Sequence, residues 1–409
     1  MLSIEGTIIN KRGRIEIDEA TGLITKVGEV TGSADVVLKD EIIFPGFIDL
    51  HVHAREDVSH SQDYKEDFIT VGEAGINGGV VAIADMPNNK IAPIDDASYE
   101  AKLELTKKSP ITIVLYGGIG PKTSPLNKKV PYKAFMGPSI GDLFFTSNEE
   151  LEKVIANYKG ENISFHCEDP KILEESKGAV THEDKRPASA ETSAIDFALT
   201  LIEKYKLTAK ICHASTIEGI KKITEAKKRG LNVTIEVTPH HLYFDETMIV
   251  SGDMARVKFQ VNPPIRQTKE NRMALIEMLR SGDIDYLATD HAPHSVEEKE
   301  KGISGLTHLD TYGNIVSWLI KEHNFTREQV VKVCAENPAK FVNNFLPEKY
   351  GKIEQGYVGS LTVLDLEKQE KVTSEKLKTK CKWSPFLGTT FPGSVAMTII
   401  KGQIKKDTR

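Results

Sequence analysis

FPGFIDLHVH, residues 44–53, is an apolar run that opens on a Pro-Gly turn and closes on a His-x-His pair. An apolar run bounded by turn residues is the pattern of a strand buried on both faces, as in a parallel sheet covered by helices. Seven more such runs follow: VVAIAD (80–85), ITIVLYGG (111–118), VPYKAFM (130–136), ISFHCED (163–169), AKICHAS (209–215), LNVTIEVTPH (231–240) and IDYLATDH (284–291). Polar segments of helical character separate them, so the chain reads as repeated βα units. Eight strands over roughly 250 residues is the count and span of a TIM-type barrel, and the expected fold class is α/β, a (β/α)8 barrel.

The first forty or so residues read as short strands with tight turns, LSIEGTIIN, RIEIDE and GLITKVG. After the eighth run come the helical segments LDTYGNIVSWLIKEH and TREQVVKVCAENPAKFV, and then β-rich GSLTVLDLE and GSVAMTIIKGQI. The two ends match each other in character rather than the middle. The expected organisation is a small β-sandwich domain built from residues 1–43 and 352–409, flanking a catalytic barrel over 44–351. No internal repeat or low-complexity segment interrupts this plan.

The chain has 409 residues, with 39% hydrophobic and 27% charged residues, a globular composition. Its 53 Lys and Arg against 59 Asp and Glu give a net charge of -6, which leaves no electrostatic footprint for a polyanion. No nucleic acid is therefore expected as a partner. No run approaches the roughly 20 apolar residues of a membrane helix, and MLSIEGTIIN lacks the features of a secretory leader. The expectation is a cytoplasmic protein with no membrane partner. The 4 Cys are dispersed and form no CxxC pair, so free thiols are expected.

Catalytic groups of a TIM barrel sit at the carboxyl ends of its strands, so the polar residues that close the eight runs are the candidates. They are His51 and His53 on the first, Lys133 on the fourth, His166 on the fifth, His213 on the sixth and Asp290 on the eighth. His51 and His53 lie two apart, so alternation puts both rings on one face, where they can share a metal. By the same alternation Cys167 and Cys212, each next to a candidate His, are read as packing rather than as ligands. His240 and His241 are read as closing the seventh strand, structural or supporting the ligands from behind.

Lys133 has two readings. It is a charged pocket residue paired with an acid, or a neutral amine that has added carbon dioxide to give an N-carboxylate able to bridge two cations. Two metals roughly 3.5–4 Å apart polarise a carbonyl and lower the pKa of water towards about 7. Asp290 is then both ligand and proton carrier, against the alternative of a helix-capping Asp.

The motifs FPGFIDLHVHAR, ADMPNN, YKAFM, SFHCED, CHAST, VNPPIR and TDHAPH resemble the cyclic-amidohydrolase branch of the amidohydrolase superfamily, and within it the dihydroorotases. The resemblance runs from Phe44 to His294, with a further match in WSPFLGTTFPGSVAMTIIKG near the carboxyl end. It implies two Zn2+ per subunit, one held by His51, His53, Lys133 and Asp290 and the other by Lys133, His166 and His213, bridged by N-carboxylated Lys133. It also implies Asp290 as the catalytic proton carrier and Arg55, Asn88, Asn262 and His294 as substrate contacts. The implied substrates are the small molecules carbamoyl aspartate and dihydroorotate, in pyrimidine biosynthesis, and a homodimer is compatible with it.

An Arg fork suits a carboxylate, whereas the neutral ureides of hydantoinases and allantoinases, the alternative activities, do not need one. A non-catalytic scaffold is the remaining alternative, and the complete set of candidate ligands argues against it. Two departures stand out. Arg55 is followed by EDVSHSQD, a loop about three residues longer than the Arg-x-Pro-Gly pattern. SVEEKEKGISGLTHLD lacks the usual Gly-Leu-Glu, which puts a backbone contact to substrate near Gly305 in question.

Overall fold

In the computed structural model, Phe47–Val52 is a strand buried at every position. Residues 1–30, 32–139, 142–249 and 257–409 are described. The first strand pairs in parallel with Val80–Asp85, which pairs in turn with Thr112–Leu115. The third run breaks at Tyr116: Thr112–Leu115 faces the second strand, and Gly117–Ile119 faces Tyr132–Phe135. The parallel order continues through Asn162–His166, Thr208–Ile211, Val233–Val237 and Tyr286–Leu287. Closure onto the first strand comes from side chain and backbone together. The Asp49 carboxylate accepts from Thr289 N at 3.0 Å, His53 N donates to His291 O at 2.8 Å, and Val52 bridges His291 in parallel. The eight runs thus form one closed barrel in sequence order.

Several runs outlast their strands. The eighth contributes only Tyr286–Leu287 to the ladder, because Asp290 takes a left-handed backbone (φ 51°) and turns the chain into the barrel mouth. The seventh leaves the sheet after Val237, and Pro239–Tyr243 is a helical turn with Pro at its first position. His240 and His241 therefore lie in a helix, where strand alternation says nothing about their direction.

The outer helices start where the sequence supplies caps. Asp67 and Asp95 each form a capping box, with Thr70 and Ser98, ahead of Phe68–Gly78 and Asp96–Thr106. Helix Ile217–Lys228 has no cap from its own Thr216. Glu191, from the first turn of helix Ala188–Tyr205, reaches across and accepts from Ser215 N at 2.8 Å and Thr216 N at 2.9 Å. Tyr312–His323 and the helical stretch from Arg327 to Val342 follow the barrel, as the sequence predicts.

Both chain ends meet in one seven-stranded sheet, in the order Gln403–Asp407, Ser394–Ile400, Leu361–Asp365, Val36–Pro45, Leu2–Ile8, Lys11–Asp18, Leu23–Gly28. Its alternating side chains serve two cores. Ile42, Phe44, Leu364 and Val395 join the barrel's apolar cluster, while Ile43, Leu361, Val363 and Met397 belong to a second one. Strand Val36–Pro45 then runs into the barrel through Gly46, where a Cβ would fall 2.4 Å from Val81 Cγ2. Only glycine fits that crossing. Among the described residues no helix is long and apolar enough to cross a membrane.

Candidate active site

At the carboxyl ends of the strands lies a small open-mouthed cavity, and His51, His53, His166, His213 and Asp290 all line it. Lys133 is fully buried just beneath, on the fourth strand. Three of the residues at this mouth, Arg55 (φ 65°), His213 (φ 34°) and Asp290 (φ 51°), hold left-handed backbones without being glycine. Such conformations cost about 1–3 kcal/mol each and persist where surrounding packing imposes them.

The ring nitrogens can be assigned from their partners. His51 Nδ1 faces a carboxylate oxygen of Glu236, which only accepts, so Nδ1 carries the proton and Nε2 the lone pair. His53 Nδ1 donates to Asn88 Oδ1 at 2.6 Å, which leaves its Nε2 a lone pair as well. Both lone pairs point at the same oxygen, Asp290 Oδ1, at 3.2 Å from His51 and 3.0 Å from His53. Burial, with Lys133 and Lys210 nearby, pushes the His51 imidazole well below its ordinary range, and burial with Arg55 does the same to His53. Once Asp290 is ionised, three acceptors converge with no donor between them, an arrangement that a cation completes. The nearest ligand atoms of His51, His213 and Asp290 lie within 4.8 Å of one another. Proton-bearing nitrogens held from behind by Glu236 and Asn88 are the usual support of metal-bound imidazoles.

On the other side of the centre, His166 donates Nε2–H to Glu168 Oε2 at 2.8 Å and presents Nδ1 to His213 Nε2 at 2.8 Å. Burial opposes ionisation of Glu168, yet Arg186 and His166 together hold its carboxyl at about 2. Burial pushes the Asp290 carboxyl up to about 7. Lys133 Nζ donates to Cys212 Sγ at 2.9 Å and lies 5.0 Å from the Phe135 ring centre. Among the described residues it makes no ion pair, so the acid partner of the plainer reading is not found.

That contact corrects the reading of Cys212 as a residue turned away from the site. The left-handed backbone at His213 breaks strand alternation, so Cys212 and His213 both face the centre. Cys167 packs in the apolar core.

Arg55, Asn88 and Asn262 line the cavity. The guanidinium of Arg55 is buried, donates to Pro293 O at 3.2 Å and to His294 Nε2 at 3.1 Å, and has no carboxylate partner among the described residues. His294 sits behind Arg55 rather than in the cavity wall, its Nδ1 3.3 Å from Glu298 Oε2 and 3.4 Å from Lys65 Nζ. Asn262 Oδ1 accepts from Arg186 Nε at 3.1 Å. Gly305, in question from the sequence, does line the cavity, with φ 140° and a Cβ position 2.5 Å from Ala292 O, so glycine is required there. None of residues 56–63, the longer loop, lines it.

The sequence reading missed Glu236, Lys210, Glu168 and Arg186. Glu236 is fully buried, ion-paired to Lys210, and also accepts from His213 N at 3.1 Å. The clue was present: LNVTIEV and AKICH each carry a charge inside an otherwise buried strand, and a buried charge needs a partner.

The sequence matches the amidohydrolase family over residues 42–405. A dihydroorotase of Thermococcus kodakarensis is 34% identical, over 98% of this chain and 92% of its own length. One of Methanosphaera stadtmanae is 33% identical, over 90% of this chain and 86% of its own. Among solved structures, an L-hydantoinase (dihydropyrimidinase) from Arthrobacter aurescens superposes with a TM-score of 0.87 at 24% identity, covering 99% of this chain and 96% of that one. A D-hydantoinase from Thermus sp. gives 0.84 at 21% identity, covering 100% and 95%. At those identities the two structures speak for the shared barrel and β-domain alone. With a family match spanning nearly the whole sequence and a mouth where His and Asp converge on one point, the chain belongs to the amidohydrolase family.

Proposed function

We propose that the chain carries out the dihydroorotase reaction, the reversible cyclisation of N-carbamoyl-L-aspartate to (S)-dihydroorotate and water in pyrimidine biosynthesis. Dihydroorotases from archaea and bacteria are its relatives over nearly the full length. The observation that carries the substrate is Arg55, a buried guanidinium at the cavity wall with no carboxylate of its own among the described residues. Leaving such a cation unpaired costs several kcal/mol, which an anionic substrate recovers. Dihydroorotate has a free carboxylate; hydantoins and allantoin do not.

In this reading His51, His53 and Asp290 would hold one divalent ion and His166 with His213 a second, and Lys133, buried with no ion pair among the described residues, would serve both as an N-carboxylate. When bound, two zinc ions there supply a Lewis acid for the carbonyl and a lowered pKa for water. The chain's own residues do the rest. Arg55 binds the free carboxylate, and Asn88 and Asn262 border the ring. In hydrolysis the ring amide C–N bond breaks, the carbonyl carbon gains the hydroxyl of water, and the nitrogen gains a hydrogen. Asp290 takes the proton from water and delivers it to that nitrogen; cyclisation runs the same path backwards. The test is turnover of dihydroorotate, allantoin and dihydrouracil side by side. Dihydroorotate should be hydrolysed fastest, and turnover of neutral ureides alone would overturn the reading.

A further inference from the structure

Val261 and Asn262 line one wall of the cavity, within a stretch, residues 260–265, that has neither helix nor strand to hold it, so its backbone carbonyls have no ladder partners. Side chains from other segments hold them instead, one residue at a time. Lys299 Nζ donates to Gln260 O at 2.8 Å, His182 Nε2 to Val261 O at 2.9 Å, Arg186 Nε to Asn262 Oδ1 at 3.1 Å and His241 Nε2 to Pro263 O at 3.1 Å. Lys299 is buried and spends a second donor on Ile303 O at 2.7 Å, and Gly305 N donates to Gln260 O at 3.0 Å. One ammonium therefore ties the wall that carries Val261 and Asn262 to the wall that carries Ser304 and Gly305.

We propose that Lys299 and His182, neither of which lines the catalytic cavity, are positioning residues that set its width by pinning Gln260 and Val261, and so govern how tightly the cyclic substrate is held. Lys299 has no ion pair among the described residues, and a buried ammonium in that position is costly, so two carbonyls are what keep it in place. Unlike Arg186, which also pairs with Glu168 behind His166, Lys299 and His182 make no hydrogen bond or ion pair to the His and Asp cluster among the described residues, so they act on binding and leave the metal residues as they are. The inference rests on the cavity being the cyclic-amide site.

The test uses Lys299→Met, His182→Ala and His182→Gln in the full chain loaded with zinc. Lys299→Met should raise KM for dihydroorotate about tenfold, the size of one lost charge-assisted hydrogen bond, with kcat changed less than about twofold. His182→Ala should raise KM less, and His182→Gln, which keeps an N–H donor, should recover part of it. Zinc content should equal that of the wild type in all three. Independently of any substrate, amide exchange at Gly305 should quicken in Lys299→Met. Unchanged KM in both positions, or kcat and zinc falling together, overturns the proposal; if Lys299→Met does not fold, the His182 pair decides it. A wild type inactive on every cyclic amide defeats the substrate reading, while Gly305 exchange still reports on the pinning.

Discussion

Arg55 reaches the cavity wall on a left-handed backbone, with its guanidinium steadied by Pro293 O and His294. Arg55→Ala should lower kcat/KM for dihydroorotate by about 2–4 kcal/mol, the loss expected for a charged hydrogen-bonding partner of a buried carboxylate, as steady-state kinetics will show. Asp290→Asn keeps the shape and removes the proton acceptor. Turnover in both directions should fall at least about a hundredfold with the fold intact by circular dichroism, and a variant keeping more than a tenth of the rate would assign the proton to another group. Lys133→Ala should lose metal and activity together, with partial return of both in acetate or propionate. Intact mass under non-denaturing conditions should show one carbon dioxide on the wild type, and an unmodified, fully metallated, active wild type would end the bridging-carboxylate reading. In the sequence Lys133 and Asp290 stand out because each is a polar residue in an apolar run, whereas Arg55 lies past the end of its run and is marked only by the family resemblance. Cys212 was misread for one physical reason: strand alternation holds only while φ stays negative, and φ at His213 is 34°.

Elements borrow from one another here, and local patterns cannot reveal it. Helix Ile217–Lys228 has an N-cap Thr whose side chain does not cap, and the N–H groups of Ser215 and Thr216 that lead into it are served by Glu191 from the neighbouring helix. Glu191 also pairs with Arg266 at 2.7 Å. Glu191→Ala removes the cap and strands a partly buried guanidinium, so thermal unfolding should show a loss of about 2–4 kcal/mol, while Glu191→Gln should lose less. A loss below about 0.5 kcal/mol would mean that solvent can serve the helix end equally well. The sequence could place both helices by their periodicity, yet the link between them spans 24 residues and follows no repeat. The pins on residues 260–263 were hidden in the same way, since each comes from a different part of the chain. Strand boundaries were read too long wherever the chain enters the mouth, as at Asp290, because apolar character there reflects burial and not pairing.

For the molecule as a whole, the barrel and its order were legible from eight runs, and the meeting of the two chain ends from their shared alternation. What composition could not convey is how the terminal sheet is interleaved: Val36–Pro45 lies between Leu2–Ile8 and Leu361–Asp365, and Phe44 pairs with Thr362. Removing residues 394–409 would strip two of seven strands and take Val395 and Met397 from the two cores, so that variant should be recovered unfolded or aggregated, as gel filtration and circular dichroism will tell. The same interleaving has a temporal side. A ribosome adds about 5–20 residues per second, so the strand ending at Pro45 is exposed for roughly 15–60 seconds before its partner is made. During synthesis the amino-terminal strands present an open edge that nothing on the nascent chain can yet cover, and chaperone binding should be heaviest in that interval.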